Sequence, residues 1–286
     1  MSFADRLTEK IFEKKSPLCV GLDPHFEKIP KFLTEKNPPE KAIEIFLSEI
    51  LDAVAPHAAA VKPNLAFFEK WGARGFEVLE KISKKAQKKG LIVIADGKRN
   101  DIGSTAAAYA DAFLAKSSPY DALTITPYLG EDGILPFAEA AAKNQKGIFV
   151  LVKTSNPSAG QFQDLPVGDA LLHEEVARAV ARIGAKNLGK NQFSSVGAVV
   201  GATVPDDLRL LRREMPAQIF LVPGFGAQGG SARDVAGAFY KNGTGAIVNS
   251  SRGILFAGSE KDFAEKAKIA AEKAKKQLWT VGKKEY

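Results

Sequence analysis

The 286-residue sequence predicts an α/β fold: a single closed (β/α)8 barrel over residues 1–286. Three observations predict it. Eight short apolar runs recur along the chain, they are continuous rather than alternating, and polar residues gather where the runs end. Continuous apolar runs are expected of parallel strands buried on both faces. Eight such units, with polar ends at the C-terminal side, favour a closed barrel over an open doubly wound sheet. The open sheet would want a phosphate-binding glycine loop after its first strand, and GLDPHF is not one.

The runs are LCVGLD (18–23), AAAVKPN (58–64), LIVIADGK (91–98), DALTITPY (121–128), GIFVLVKTS (147–155), VGAVVGAT (196–203), QIFLVPGFG (218–226) and GAIVNSSRG (245–253). Helical stretches lie between and after them at 39–55, 74–89, 104–116, 169–187, 205–215 and 261–278. The connections 24–38 and 154–168 are long. The second, TSNPSAGQFQDLPVG, has no helical period and is a lid candidate at the mouth of a barrel, set against a plain surface insertion.

Apolar content of 45% and charged content of 26% fit an ordinary globular protein with a sizeable core. The single cysteine, Cys19, excludes an intrachain disulfide and reads as a small core residue. No run approaches the ~20 apolar residues of a membrane helix, and the charged N-terminus lacks a signal-peptide core. A cytoplasmic protein with no membrane partner is the expectation. The net charge is +7, and residues 261–286 hold eight lysines against four acidic residues. These lysines lie on Ala-rich helical stretches without interleaved aromatics, so a solvated outer face is expected rather than a nucleic-acid surface.

Chemistry concentrates at the strand ends. The third run closes on Asp96-Gly97-Lys98-Arg99-Asn100-Asp101, and the second on Val61-Lys62-Pro63-Asn64. In an extended strand Asp96 and Lys98 share a face. Lys62, Asp96, Lys98 and Asp101 can therefore meet at one mouth with alternating charge, which is how buried ions are tolerated. Asp101 is equally readable as an N-cap of the next helix. The seventh run leads into Pro223-Gly224-Phe225-Gly226-Ala227-Gln228-Gly229-Gly230, and the eighth into Asn249-Ser250-Ser251-Arg252-Gly253. Glycine-rich backbone and an Arg fork after the last two strands form a phosphate-site pattern. His25, His57 and His173 show no metal-ligand spacing, so no metal is expected. His57 and His173 read as structural or surface residues, and His25 could approach the mouth.

Together these motifs resemble the orotidine 5′-monophosphate decarboxylase family, in its longer bacterial branch. The resemblance rests on Asp-Gly-Lys-Arg-Asn-Asp-Ile at 96–102, with LCVGLDP, VKPN, PGFGAQGG and SSRG in the expected order from residue 18 to 256. It implies a homodimeric TIM-barrel lyase that converts orotidine 5′-monophosphate to uridine 5′-monophosphate, the last step of de novo UMP synthesis, without a cofactor. It implies that Lys98 protonates C6 of the pyrimidine, with Asp96 beside the departing carboxylate. Asp101, Ile102 and Thr105 would reach the partner's site. Asp23 and Lys62 would bind ribose hydroxyls, and Gln228 and Arg252 the phosphate. Thr154 or Ser155 would meet the pyrimidine, and Ser251 stands where shorter members have Gly. Asn64, Pro223 and Gly226 complete the expected substrate-binding set. A Mg²⁺-dependent sugar-phosphate enzyme of the same fold would want an acidic ligand at the end of strand 1 or 2, and Lys62 at strand 2 argues against a metal there. A basic RNA-binding protein would bind RNA independently of Lys98.

Overall fold

Strands form where β-branched and aliphatic residues run together, and each ends where polar or glycine-rich sequence begins. The computed structural model describes all residues except 203–204, 227–229 and 284–286. Its barrel strands are β1 (Leu18–Leu22), β2 (Ala60–Pro63), β3 (Ile92–Arg99), β4 (Ala122–Ile125), β5 (Gly147–Lys153), β6 (Ser194–Val200), β7 (Gln218–Val222) and β8 (Ala246–Ser250). Each pairs in parallel with its neighbours in sequence, and β8 closes on β1. The expected barrel is therefore present.

The alternating sides of each strand serve two cores, which is why the runs read as continuous. Leu18, Val20, Val61, Val93, Leu123, Val150, Ala198, Phe220 and Val248 pack outward against the helices. Cys19, Ala60, Ile92, Ile94, Ala122, Phe149, Ile219, Leu221 and Ile247 fill the lumen. Cys19 is wholly buried there, and burial pushes its thiol up to about 12.

Eight helices of ten residues or more are described: α1 (Phe3–Lys14), α2 (Pro39–Val54), α3 (Gly72–Lys88), α4 (Gly103–Leu114), α5 (Leu135–Asn144), α6 (Leu172–Gly184), α7 (Pro205–Glu214) and α8 (Phe263–Val281). Helix α1 is not part of a βα unit. Ser2 and Asp5 cap it reciprocally, and its Phe3, Leu7 and Ile11 close the lower end of the lumen. Phe3 meets Phe149 edge-on at 5.9 Å, and a side chain at Gly147 would collide with the Phe3 ring. The lumen is thereby closed at this end.

The alternation of strand and helix is imperfect. Between β7 and β8 the described residues carry only the short turn Ala236–Ala238. Helix α5 was not among the expected stretches, and the 154–168 segment is more regular than its composition suggested. It contains the short helix Gly160–Gln163, and the strand Pro166–Val167 pairs with Ala170–Leu171. The lysines of α3 lie on the outer face, where Lys81 pairs with Glu44, Lys84 with Glu80, and Lys85 with Asp52. Among the described residues no helix is long and apolar enough to cross a membrane.

Candidate active site

Three of the four expected charges meet at the C-terminal ends of β2 and β3. Lys62 Nζ donates to Asp96 Oδ2 at 2.5 Å, and Lys98 Nζ donates to Asp96 Oδ1 at 2.6 Å. Asp96 Oδ1 also accepts from Thr124 Oγ1 of β4 at 3.0 Å. Lys62 and Asp96 are buried, whereas the Lys98 side chain is half exposed at 49%. Burial alone would push the Asp96 carboxyl up, but the ammonium groups of Lys62 and Lys98 outweigh it and hold it well below the usual carboxylate range. Burial likewise disfavours the Lys62 charge, and Asp96 and Asp23 more than restore it, so its pKa lies above the ordinary lysine value.

Simple strand alternation does not bring Lys98 to Asp96. The β3–β4 register shifts between Ala95 and Arg99, and Lys98 takes a left-handed backbone with φ +47°. Such a conformation costs a non-glycine residue roughly 1–2 kcal/mol and clusters at functional sites. The Lys98 N–H donates to Thr124 Oγ1 at 3.0 Å, so one threonine secures both the strained backbone and the carboxylate. Arg99 bonds back to the Gly97 carbonyl and pairs with Glu69.

Asp101 does not join the cluster within one chain. Its Oδ1 accepts from the Ile102 N–H at 2.9 Å. It is not the N-cap either, since Ile102 holds that position without a side-chain bond. Ile102, and Thr105 in the first turn of α4, are exposed.

Two adjoining cavities flank the Asp96 cluster and share Lys62, Asp96 and Pro223. One, of about 480 Å³, adds Lys98, Thr124, Thr154, Ser155, Asn156 and Gln163. The other, of about 390 Å³, adds Asp23, Asn64, Gly224, Asn249, Ser251 and Arg252. Asn64 accepts the Ala66 N–H at 3.3 Å, and Gly226 lies exposed beyond the lining, bonded to the Gly230 carbonyl. Gln228 lies outside the described residues. No group of three or more His, Cys, Asp or Glu converges as a metal set among the described residues.

This architecture has known relatives. Residues 16–267 match the Orotidine 5′-phosphate decarboxylase / HUMPS family. The chain belongs to this family. An orotidine 5′-phosphate decarboxylase of Rhodopirellula baltica is 49% identical over 276 residues, covering 92% of this chain and 91% of that one. One from Deinococcus radiodurans is 45% identical, covering 94% and 95%. The solved OMP decarboxylase of Leishmania donovani superposes with a TM-score of 0.82 at 33% identity, covering all of both chains. The resemblance read from the sequence is borne out, and the chain is an enzyme of the carboxy-lyase class.

Several residues of this family member were not legible as site residues. Gln163 Oε1 accepts from the Thr154 N–H at 2.9 Å and its Nε2 donates to Thr154 Oγ1 at 2.8 Å. Thr154 Oγ1 in turn donates to Asn156 at 2.7 Å. The neighbouring Asp164 pairs with Lys153 and, at 3.2 Å, with His173. His173 is buried and bonds the Gln163 carbonyl at 2.8 Å, so it anchors the 154–168 segment. His25 lines the smaller cavity, with its ring 4.5 Å from Phe67 and its Nδ1 3.2 Å from Glu27.

Proposed function

We propose that this enzyme decarboxylates orotidine 5′-monophosphate to uridine 5′-monophosphate, with Lys98 as the proton donor. The observation that carries the reading is the Lys62–Asp96–Lys98 chain, set between two cavity halves of different chemistry. One half is lined by Thr154 and Ser155 and suits a pyrimidine edge. The other carries Arg252 and the backbone of Gly224 and suits a phosphate.

The C6–carboxylate bond breaks and its electron pair stays on C6 as CO₂ leaves. The Lys98 ammonium faces that growing charge and stabilises it as it forms. It then transfers its proton to C6, and solvent reprotonates the amine. Asp96, fixed between two cations, sets the ammonium's position and stands beside the departing carboxylate. Binding energy from the remote phosphate organises the site. Asp23 and Lys62 hold the ribose, Thr154 or Ser155 meets the pyrimidine, and Asp101, Ile102 and Thr105 enter from a second copy of the chain. The scheme uses no metal or organic cofactor.

The test is the loss of pyrimidine absorbance with orotidine 5′-monophosphate in the presence of EDTA. Turnover should persist in the chelator and vanish in a folded Lys98→Ala variant. A variant within tenfold of wild type, about 1.4 kcal/mol of barrier, would remove Lys98 from this role.

A further inference from the structure

We propose that Asn249 reads the ribose, its carboxamide oxygen accepting a hydrogen bond from a sugar hydroxyl. The inference rests on the decarboxylase reading of the cavity and adds a ligand contact that the family motifs did not supply.

On β8, Ile247 points into the lumen, and two residues later Asn249 shares its face. Asn249 pairs in register with Cys19 of β1 and is only 8% exposed. It lines the smaller cavity with Asp23, Lys62 and Ser251. Its Nδ2 donates to Ser251 Oγ at 3.2 Å, which fixes the plane of the carboxamide. Its Oδ1 is buried and accepts no hydrogen bond from the described residues. Asp23 Oδ1, on the same cavity, is likewise buried without a donor among the described residues.

The neighbouring strand makes room for this arrangement. A Cβ at Gly21 would lie 1.9 Å from Ser251 Oγ and 3.1 Å from Asn249 Oδ1. Any side chain at position 21 would displace the pair, so Gly21, Asn249 and Ser251 form one fitted unit.

Two buried acceptors call for a ligand that brings donors, because an unsatisfied buried oxygen is costly. A phosphate is acceptor-rich and is repelled by them. The pyrimidine occupies the other half of the cavity. The ribose hydroxyls are the donors that remain.

The experiment measures inhibition of the intact enzyme by uridine 5′-monophosphate and by its 2′-deoxy and 3′-deoxy analogues. Wild type should prefer the full nucleotide over one analogue by about tenfold or more, the usual size of a hydrogen bond to a buried group. Asn249→Leu, close in shape, should lose a similar factor for the full nucleotide and bind that analogue almost as well. Equal affinity of wild type for all three ligands would overturn the proposal, and this arm needs no variant. Undiminished discrimination in a folded Asn249→Leu or Asn249→Ala enzyme would overturn it as well. Absence of turnover on orotidine 5′-monophosphate by wild type would instead sink the decarboxylase reading, so the two failures are separable.

Discussion

Lys62 and Asp96 form a 2.5 Å ion pair across neighbouring barrel strands, with both side chains more than nine-tenths buried. The pair is not isolated, because Lys98 and Thr124 satisfy the second carboxylate oxygen. Removing one partner of a buried pair leaves the other charge desolvated, at a cost of roughly 3–5 kcal/mol. Asp96→Ala leaves two ammonium groups facing each other and should reach that range in urea denaturation. Lys62→Met leaves Asp96 with Lys98 and should cost less. An Asp96→Ala enzyme as stable as wild type would mean that the cluster is solvated.

The same pair sets an expectation for pH. The Asp96 carboxyl is depressed by its two cations, so its stabilising contribution is complete above the unfolded value of about 3.9 and is lost as pH falls through the folded value. Lys62 is shifted upward, so its contribution is complete below the unfolded lysine value of about 10.4 and is lost as pH rises through the folded one. The stability advantage of wild type over Asp96→Asn should therefore be flat from about pH 5 to 9 and shrink below about pH 4. A decline that begins near pH 6 or 7 would show a carboxyl titrating far above the position argued here.

The strands and the charged cluster were legible in the sequence for a shared reason. A barrel strand needs apolar residues on both faces, so any charge at its end stands out. Asp96 and Lys98, closing a run of aliphatic residues, had no other plausible place than the mouth. What was illegible depends on contacts between distant segments. Nothing local marks Lys98 for a left-handed backbone; the β4 register and Thr124 impose it. Gln163 read only as part of a long connection and His173 as a structural or surface residue, because their partners Thr154 and Asp164 are met only when the 154–168 segment folds back. Asn249 read only as part of the polar end of the eighth run, and its lumen position follows from strand pairing with β1.

Arg252 begins the short helix Arg252–Leu255 at the half of the cavity proposed for the phosphate. A charge-assisted hydrogen bond to phosphate is worth about 1.5–3 kcal/mol, so Arg252→Ala should lower kcat/KM by about ten- to a hundredfold. The loss should fall mainly on KM, because the contact is made in both ground and transition states. Arg252→Lys should recover only part of it, since one ammonium cannot reproduce the planar fork. Unchanged kcat/KM in the alanine variant would place the phosphate elsewhere.

The exposure of Ile102 and Thr105, and the absence of Asp101 from the cluster of its own chain, lead to a prediction about assembly. Ile102 is 53% exposed, and Tyr109 of α4 and Tyr128 beyond β4 are also exposed, apolar surface that suits a second copy of the chain. If Asp101 completes the partner's site, Asp101→Ala and Lys98→Ala should each be inactive alone. Mixed and allowed to exchange, they form hybrid dimers in which one site receives both native residues. With equal amounts and random pairing, half of the dimers are hybrids, so about a quarter of wild-type activity should return. A charge at Tyr109, as in Tyr109→Glu, should prevent that recovery and shift the protein to monomer in sedimentation. Mixtures that stay inactive while dimers exchange freely would confine Asp101 to its own chain, where its carboxylate only holds the Ile102 N–H.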